Sequence, residues 1–70
     1  MKYTAILEFS QEDKVYLVRV PAFPEVHTYG EDAQKATDYA KEAIELVIEM
    51  YREEGKSLPD DPAVVVEVAP

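Results

Sequence analysis

The sequence predicts an α+β fold with the element order β-β-β-α-β: three antiparallel strands, a fourth strand parallel to the first, and one helix on one face. Three observations support it. Apolar residues alternate along two short segments near the start, they recur at helical spacing after residue 32, and a valine-rich segment follows near the end. A right-handed crossover through the helix would place the last strand beside the first, giving the strand order 3-2-1-4.

The first three strands follow from alternation and turn residues. Residues 3–9, YTAILEF, place Tyr3, Ala5, Leu7 and Phe9 on one side of a strand. Residues 15–20, VYLVRV, are rich in β-branched and aromatic residues, and the polar segment SQEDK before them predicts an antiparallel hairpin. Pro21 ends this strand because proline donates no hydrogen bond, and residues 26–29, VHTY, predict a short third strand.

The helix has clear start and stop signals. Asp32 is a favourable N-cap, and apolar residues then recur every three or four positions up to about Glu54. Gly55 lies where a left-handed C-cap belongs, and Pro59 prevents the helix from resuming. Residues 64–68, VVVEV, predict the fourth strand.

Length and composition limit the class of protein. The 70 residues, 1–70, allow one domain. A chain this short buries only about 60% of its unfolded surface, which makes its core marginal, so we expect self-association to stabilise it. No cysteine is present, and no apolar run is long enough for a membrane helix, so we expect a cytoplasmic protein that makes no membrane contact. The net charge of −8 argues against direct nucleic-acid binding and favours a basic protein partner.

The helix surface presents two features that a single packed helix does not require. An acidic stripe falls within an arc of roughly 80°; it consists of Asp38, Glu42, Glu45, Glu49 and Glu53. It is either a solvated outer face or a surface for a basic partner, with Glu42, Glu45 and Glu49 as candidate contacts. The apolar arc is also wide, roughly 200°, because Tyr39, Leu46 and Ile48 extend it.

The last predicted strand suggests self-association. Val64, Val66 and Val68 belong to a nearly continuous apolar run, in which Glu67 is the one charged residue. Such a strand is either buried on both faces or pairs with a second copy across a two-fold axis. We therefore expect a homodimer or a higher oligomer.

The residues do not predict an enzyme. His27 is the chain's single histidine, and neither a cysteine nucleophile nor a glycine-rich phosphate loop is present, so no catalytic residue, cofactor or metal ligand is assigned. A metal-dependent nuclease using strand carboxylates such as Glu8 remains an alternative.

The segment RVPAFPEVHTYGED, residues 19–32, is interpreted first as a bend. Pro21 and Pro24 stop the second strand and turn the chain into the third. Phe23, Glu25 and Tyr29 then predict an aromatic and acidic surface on an edge strand, which is a candidate site for a basic partner.

Taken together, the sequence resembles the HicB-like antitoxin domain of HicAB toxin–antitoxin systems. The matching segments are KYTAILE, VYLVRVPAFPEV and TYGEDAQKATDYAKEAIELVIEMYREEGKSLP, which cover residues 2 to about 60. The resemblance implies a partial ribonuclease-H-like fold without ribonuclease activity, and a small basic HicA-like ribonuclease toxin as the partner. Many members carry a C-terminal DNA-binding domain, and the expectation here is the toxin-binding domain alone.

Two positions depart from the family pattern. Glu25 stands where the family often has glycine after the second proline, and EDK replaces a glycine-containing hairpin turn. The leading hypothesis is a non-catalytic acidic module that masks a basic toxin. The alternatives are an orphan scaffold dimer without a toxin and the metal-dependent nuclease.

Overall fold

A computed structural model describes residues 2–64 and residue 66 of the chain. It contains three strands and one helix: β1 (Ile6–Ser10), β2 (Val15–Arg19), β3 (His27–Gly30) and α1 (Ala33–Glu53). The strands form one antiparallel sheet in the order β1-β2-β3. The α+β class, the three antiparallel strands and their order are confirmed, although β1 begins three residues later than predicted.

The strand register separates the two faces of the sheet. Leu7 lies opposite Val18, and Val18 lies opposite Thr28, so these three residues share the face that α1 covers. The helix contacts β3 more extensively than β1. The buried core consists of Val18, Val20, Ala22, Phe23, Val26, Ala36, Ala40 and Val47.

The hairpin between β1 and β2 contains one residue in the left-handed conformation. Lys14 has φ 57°, and its backbone N–H donates to the Ser10 carbonyl at 2.8 Å. Glycine favours this conformation, so Lys14 occupies a position in the turn that would suit glycine. Glu25 has no positive φ, and the turn after Pro24 therefore does not require glycine.

Two consecutive turns shape the segment between β2 and β3. The Phe23 N–H donates to the Val20 carbonyl, and the Val26 N–H donates to the Phe23 carbonyl, both at 2.9 Å. Each turn has proline at its second position, where the fixed φ of proline fits. The predicted bend is therefore a double turn that directs Phe23 into the core.

Both helix ends are capped as the sequence predicts. The Asp32 side chain accepts a hydrogen bond from the Lys35 N–H at 2.8 Å. At the other end Gly55 has φ 71°, and the Lys56 N–H donates to the Tyr51 carbonyl at 2.8 Å. This second pattern is a Schellman cap, which satisfies carbonyls at the end of α1.

After the helix, the chain returns to the start of β1. The Tyr3 hydroxyl donates to the Pro59 carbonyl at 2.6 Å, and the Thr4 N–H and Oγ1 donate to Asp61 Oδ2 at 2.9 and 2.7 Å. Of the predicted fourth strand, Val64 and Val66 are described and lie in no strand. The rest of that prediction, including Val68, lies outside the described residues.

The Asp61 contacts predict a dependence of stability on pH. Hydrogen bonds from Thr4 and from the Ala63 N–H hold the pKa of Asp61 below its usual value of 3.8. A carboxylate with a lowered native pKa stabilises the fold above its unfolded pKa, and this contribution is lost as the pH falls through the native pKa. Asp61→Asn should therefore lose less thermal stability than the wild type between about pH 5 and about pH 3.

Thermal unfolding followed by circular dichroism at several pH values measures this effect. Asp60→Asn is the matched control, because Asp60 is an exposed neighbour outside these hydrogen bonds. If Asp61→Asn and Asp60→Asn change the loss of thermal stability at acidic pH equally, that loss does not arise from Asp61.

Candidate protein-binding surface

The flank of α1 nearest β3 exposes large apolar side chains. Tyr39, Leu46 and Met50 are 45%, 61% and 53% exposed, respectively. With about 100° per residue, they lie between the buried row of the helix and the acidic stripe. The wide apolar arc predicted from the sequence is therefore present, and within residues 2–64 and 66 no other segment covers this part of it.

A groove lies between this flank and the segment that enters β3. Its volume is about 410 Å³. Leu46, Val47 and Met50 line one side, and Val26 and His27 line the other. The lining is mainly apolar, so the groove suits an apolar side chain better than a charged metabolite.

Polar groups border the groove at the C-terminal end of α1. The Tyr51 hydroxyl donates to Glu25 Oε2 at 3.0 Å, and this hydrogen bond raises the pKa of Tyr51. Lys56 Nζ lies 2.8 Å from Glu54 Oε2, and the hydrogen bond to this carboxylate raises the pKa of Lys56. The cation at this border is already paired with a carboxylate, which leaves the border with a net negative charge.

The acidic stripe lies next to the groove on the solvent side of α1. All five of its carboxylates are exposed, and Leu46 shares a shallow hollow with Glu42, Glu45 and Glu49. Within residues 2–64 and 66, the ion pairs are Arg19–Glu8, Lys35–Glu31 and Lys56–Glu54. The stripe takes part in none of them, so its charges are not neutralised by an ion pair within these residues.

Of the three contact residues predicted around the bend, the structure corrects one and places the other two on different surfaces. Phe23 is 0% exposed and lies in the core, so it is not part of an exposed surface. Glu25 and Tyr29 are exposed, but they do not share one surface. Glu25 borders the groove, whereas Tyr29 lies opposite Leu17 on the sheet face turned away from α1.

The candidate nuclease carboxylate lies in an ordinary surface pair. Glu8 Oε1 is 3.2 Å from Arg19 Nε, and both side chains are more than half exposed. Among the described residues, no group of three or more histidine, cysteine or carboxylate side chains could hold a metal ion. In the same part of the chain, no helix is long and apolar enough to cross a membrane.

Sequence reasoning missed the groove itself. It identified Leu46 as part of a wide apolar arc on the helix and Glu25 as a surface residue, but it did not bring them together. The available signal was Tyr51, a residue with an apolar ring and a polar hydroxyl on the apolar side of the helix. The hydrogen-bond partner of that hydroxyl is Glu25, from the double turn.

Together, the three-stranded sheet and the helix of the described residues define a small α+β domain with an exposed apolar and acidic helix flank. Residues 3–69 match the family model of HicB-like antitoxins of bacterial toxin–antitoxin systems. The chain belongs to this family, which confirms the resemblance seen in its sequence and implies a toxin partner.

Three curated relatives of the chain carry the name UPF0150 protein. A UPF0150 protein of Thermoplasma acidophilum is 38% identical over 68 residues, covering 97% of each chain. A UPF0150 protein of Thermotoga maritima is 43% identical over 47 residues, covering 67% of this chain and 63% of the relative. One of Archaeoglobus fulgidus is 36% identical over 52 residues, covering 74% of each. No solved structure gave a significant match.

Proposed function

We propose that this chain is a non-catalytic antitoxin module that binds a small basic ribonuclease toxin of the HicA type and masks its RNA-binding surface. The observation that carries the proposal is the acidic stripe, whose exposed carboxylates make no ion pair within the described part of the chain. Carboxylates placed on the toxin's cations would occupy the positions that RNA phosphates need. Antitoxin and RNA would then compete for one surface.

The stripe also opposes helix stability, which supports a role in binding. Glu45 and Glu49 are four residues apart on α1, and like charges at this spacing cost a few tenths of a kcal/mol per pair. Replacing them with glutamine should therefore leave the domain at least as stable as the wild type. Acidic residues needed only for solubility could be spaced along the helix so that they do not repel one another.

The test uses a HicA-type protein from the same genome, inactivated at its catalytic histidine. Glu45→Gln combined with Glu49→Gln should weaken binding about tenfold at low salt, because two exposed ion pairs contribute about 1–2 kcal/mol together. Titration calorimetry at two salt concentrations measures the affinity, and the double variant should show the smaller dependence on salt.

The matched control is Glu12→Gln combined with Asp60→Asn. It removes the same net charge from two exposed positions outside the stripe. An equal loss of affinity in both double variants would mean that net charge, and not the stripe, attracts the toxin. If the wild type does not bind the inactive HicA-type protein and does not slow RNA cleavage by the active form, the proposed function is wrong.

We also propose that two copies associate through Val64, Val66 and Val68, with residues 64–68 forming a strand parallel to β1. Two observations support this proposal. Tyr3 contacts Pro59, and Thr4 contacts Asp61. The two segments therefore run in the same direction, as a parallel strand requires. Val64 and Val66 are 82% and 75% exposed in the single chain, so a second copy would remove apolar surface from water.

Val66→Lys should shift the protein from dimer to monomer in sedimentation velocity, because a lysine on an edge strand opposes pairing. Leu46→Lys is the comparison, since it adds the same charge on the exposed flank of α1. Monomers formed by Leu46→Lys and not by Val66→Lys would place the self-association on the helix instead.

A further inference from the structure

We infer that the groove between α1 and the segment entering β3 receives an apolar anchor side chain that the basic partner carries among its lysines and arginines. The inference rests on the proposed function and adds a second, apolar element to it. Binding would then use two adjoining surfaces. The groove would hold the anchor, and the acidic stripe would hold the surrounding cations.

The shape and lining of the groove favour a protein side chain as occupant. Leu46 and Met50 remain more than half exposed at its edge, although Val47 between them is buried. The volume of about 410 Å³ is ample for a phenylalanine, leucine or methionine side chain together with adjoining backbone. Burying an anchor there would also cover Leu46 and Met50, which adds apolar area on both sides of the contact.

The charges around the groove favour a basic occupant over a second copy. Glu42, Glu45 and Glu49 lie on its solvent side, and Glu25 lies on its other border. Two copies meeting at this face would bring these carboxylates together in chains that each carry a net charge of −8. Lysines or arginines beside an apolar anchor complement the same charges.

Methionine methyl resonances report on the groove directly. The sequence contains two methionines, Met1 and Met50, so methyl-labelled protein gives two signals, and Met50→Leu assigns them. The probe is a short lysine-rich peptide with one central phenylalanine, compared with the same peptide carrying alanine there. The phenylalanine peptide should shift the Met50 signal, and the alanine peptide should bind about tenfold more weakly.

Two leucine variants of the full chain separate the groove from the rest of the surface. Leu46→Ser should weaken peptide binding about tenfold. Leu17→Ser is the matched control, since Leu17 is also exposed but lies on the opposite face of the sheet, and it should leave the affinity unchanged. Circular dichroism should show that both variants remain folded, because neither leucine is buried.

The outcomes distinguish this inference from the proposed function. If the inactive HicA-type toxin binds the wild type and Leu46→Ser equally well, the groove inference is wrong and the antitoxin function stands. If no such toxin binds but the peptide shifts Met50 and responds to Leu46→Ser, the groove inference stands without that function. A Met50 shift that depends on protein concentration without peptide would assign the groove to a second copy and overturn the inference.

Discussion

Phe23→Ala is expected to lower the free energy of unfolding by about 3–5 kcal/mol, the usual cost of deleting a buried phenylalanine. Phe23 is fully buried, and its ring makes edge-to-face contacts with Tyr3 at 4.8 Å and with Tyr51 at 5.3 Å between ring centroids. It thereby joins the double turn to the chain start and to α1. A domain of this size has a stability of only about 4–10 kcal/mol, so the variant should lose a large part of it.

Urea denaturation followed by circular dichroism measures the loss, and the chain's other phenylalanine supplies the control. Phe9 is 45% exposed and contacts Tyr16 at the edge of the sheet, so Phe9→Ala should cost about 1 kcal/mol. Phe23→Leu keeps most of the volume and should fall between the two. Equal losses for Phe9→Ala and Phe23→Ala would contradict the central position of Phe23.

The direction in which Phe23 points is a part of the fold that could not be predicted from the sequence. The two prolines correctly indicated a bend, but a bend alone does not say to which side its residues point. The direction follows from two successive turns that share Phe23, and these depend on hydrogen bonds at Val20 and Val26. The elements with periodic patterns or caps, such as α1 between Asp32 and Gly55, were predictable because each signal is local.

The candidate site was predictable in part for the same reason. The acidic stripe and the exposed apolar flank follow from helical spacing, and the structure places them side by side on α1. The groove depends on Val26 and His27 facing Leu46 and Met50, a contact between elements that no local pattern encodes. The contacts of Asp61 with Thr4 likewise join residues that are far apart in the sequence.

Gly30→Ala is the second change with a large expected effect, and its cause is a close backbone approach. A Cβ at Gly30 would lie 2.6 Å from the Ala36 Cα and 2.9 Å from the Lys35 carbonyl carbon. These are backbone atoms in the first turn of α1, which no change of rotamer can move away. The helix would have to separate from β3, so we expect a loss of about 2–4 kcal/mol, at the upper end of overpacking costs.

The second glycine provides the contrast that tests this explanation. Gly55 has φ 71° and open space where a Cβ would be, so Gly55→Ala should cost only about 1 kcal/mol of conformational strain, and Gly55→Asn less. Adding Ala36→Gly to Gly30→Ala should not restore stability, because the obstruction is the backbone of Ala36 and not its methyl group. Recovery in that double variant, measured by urea denaturation, would show that side-chain crowding causes the loss.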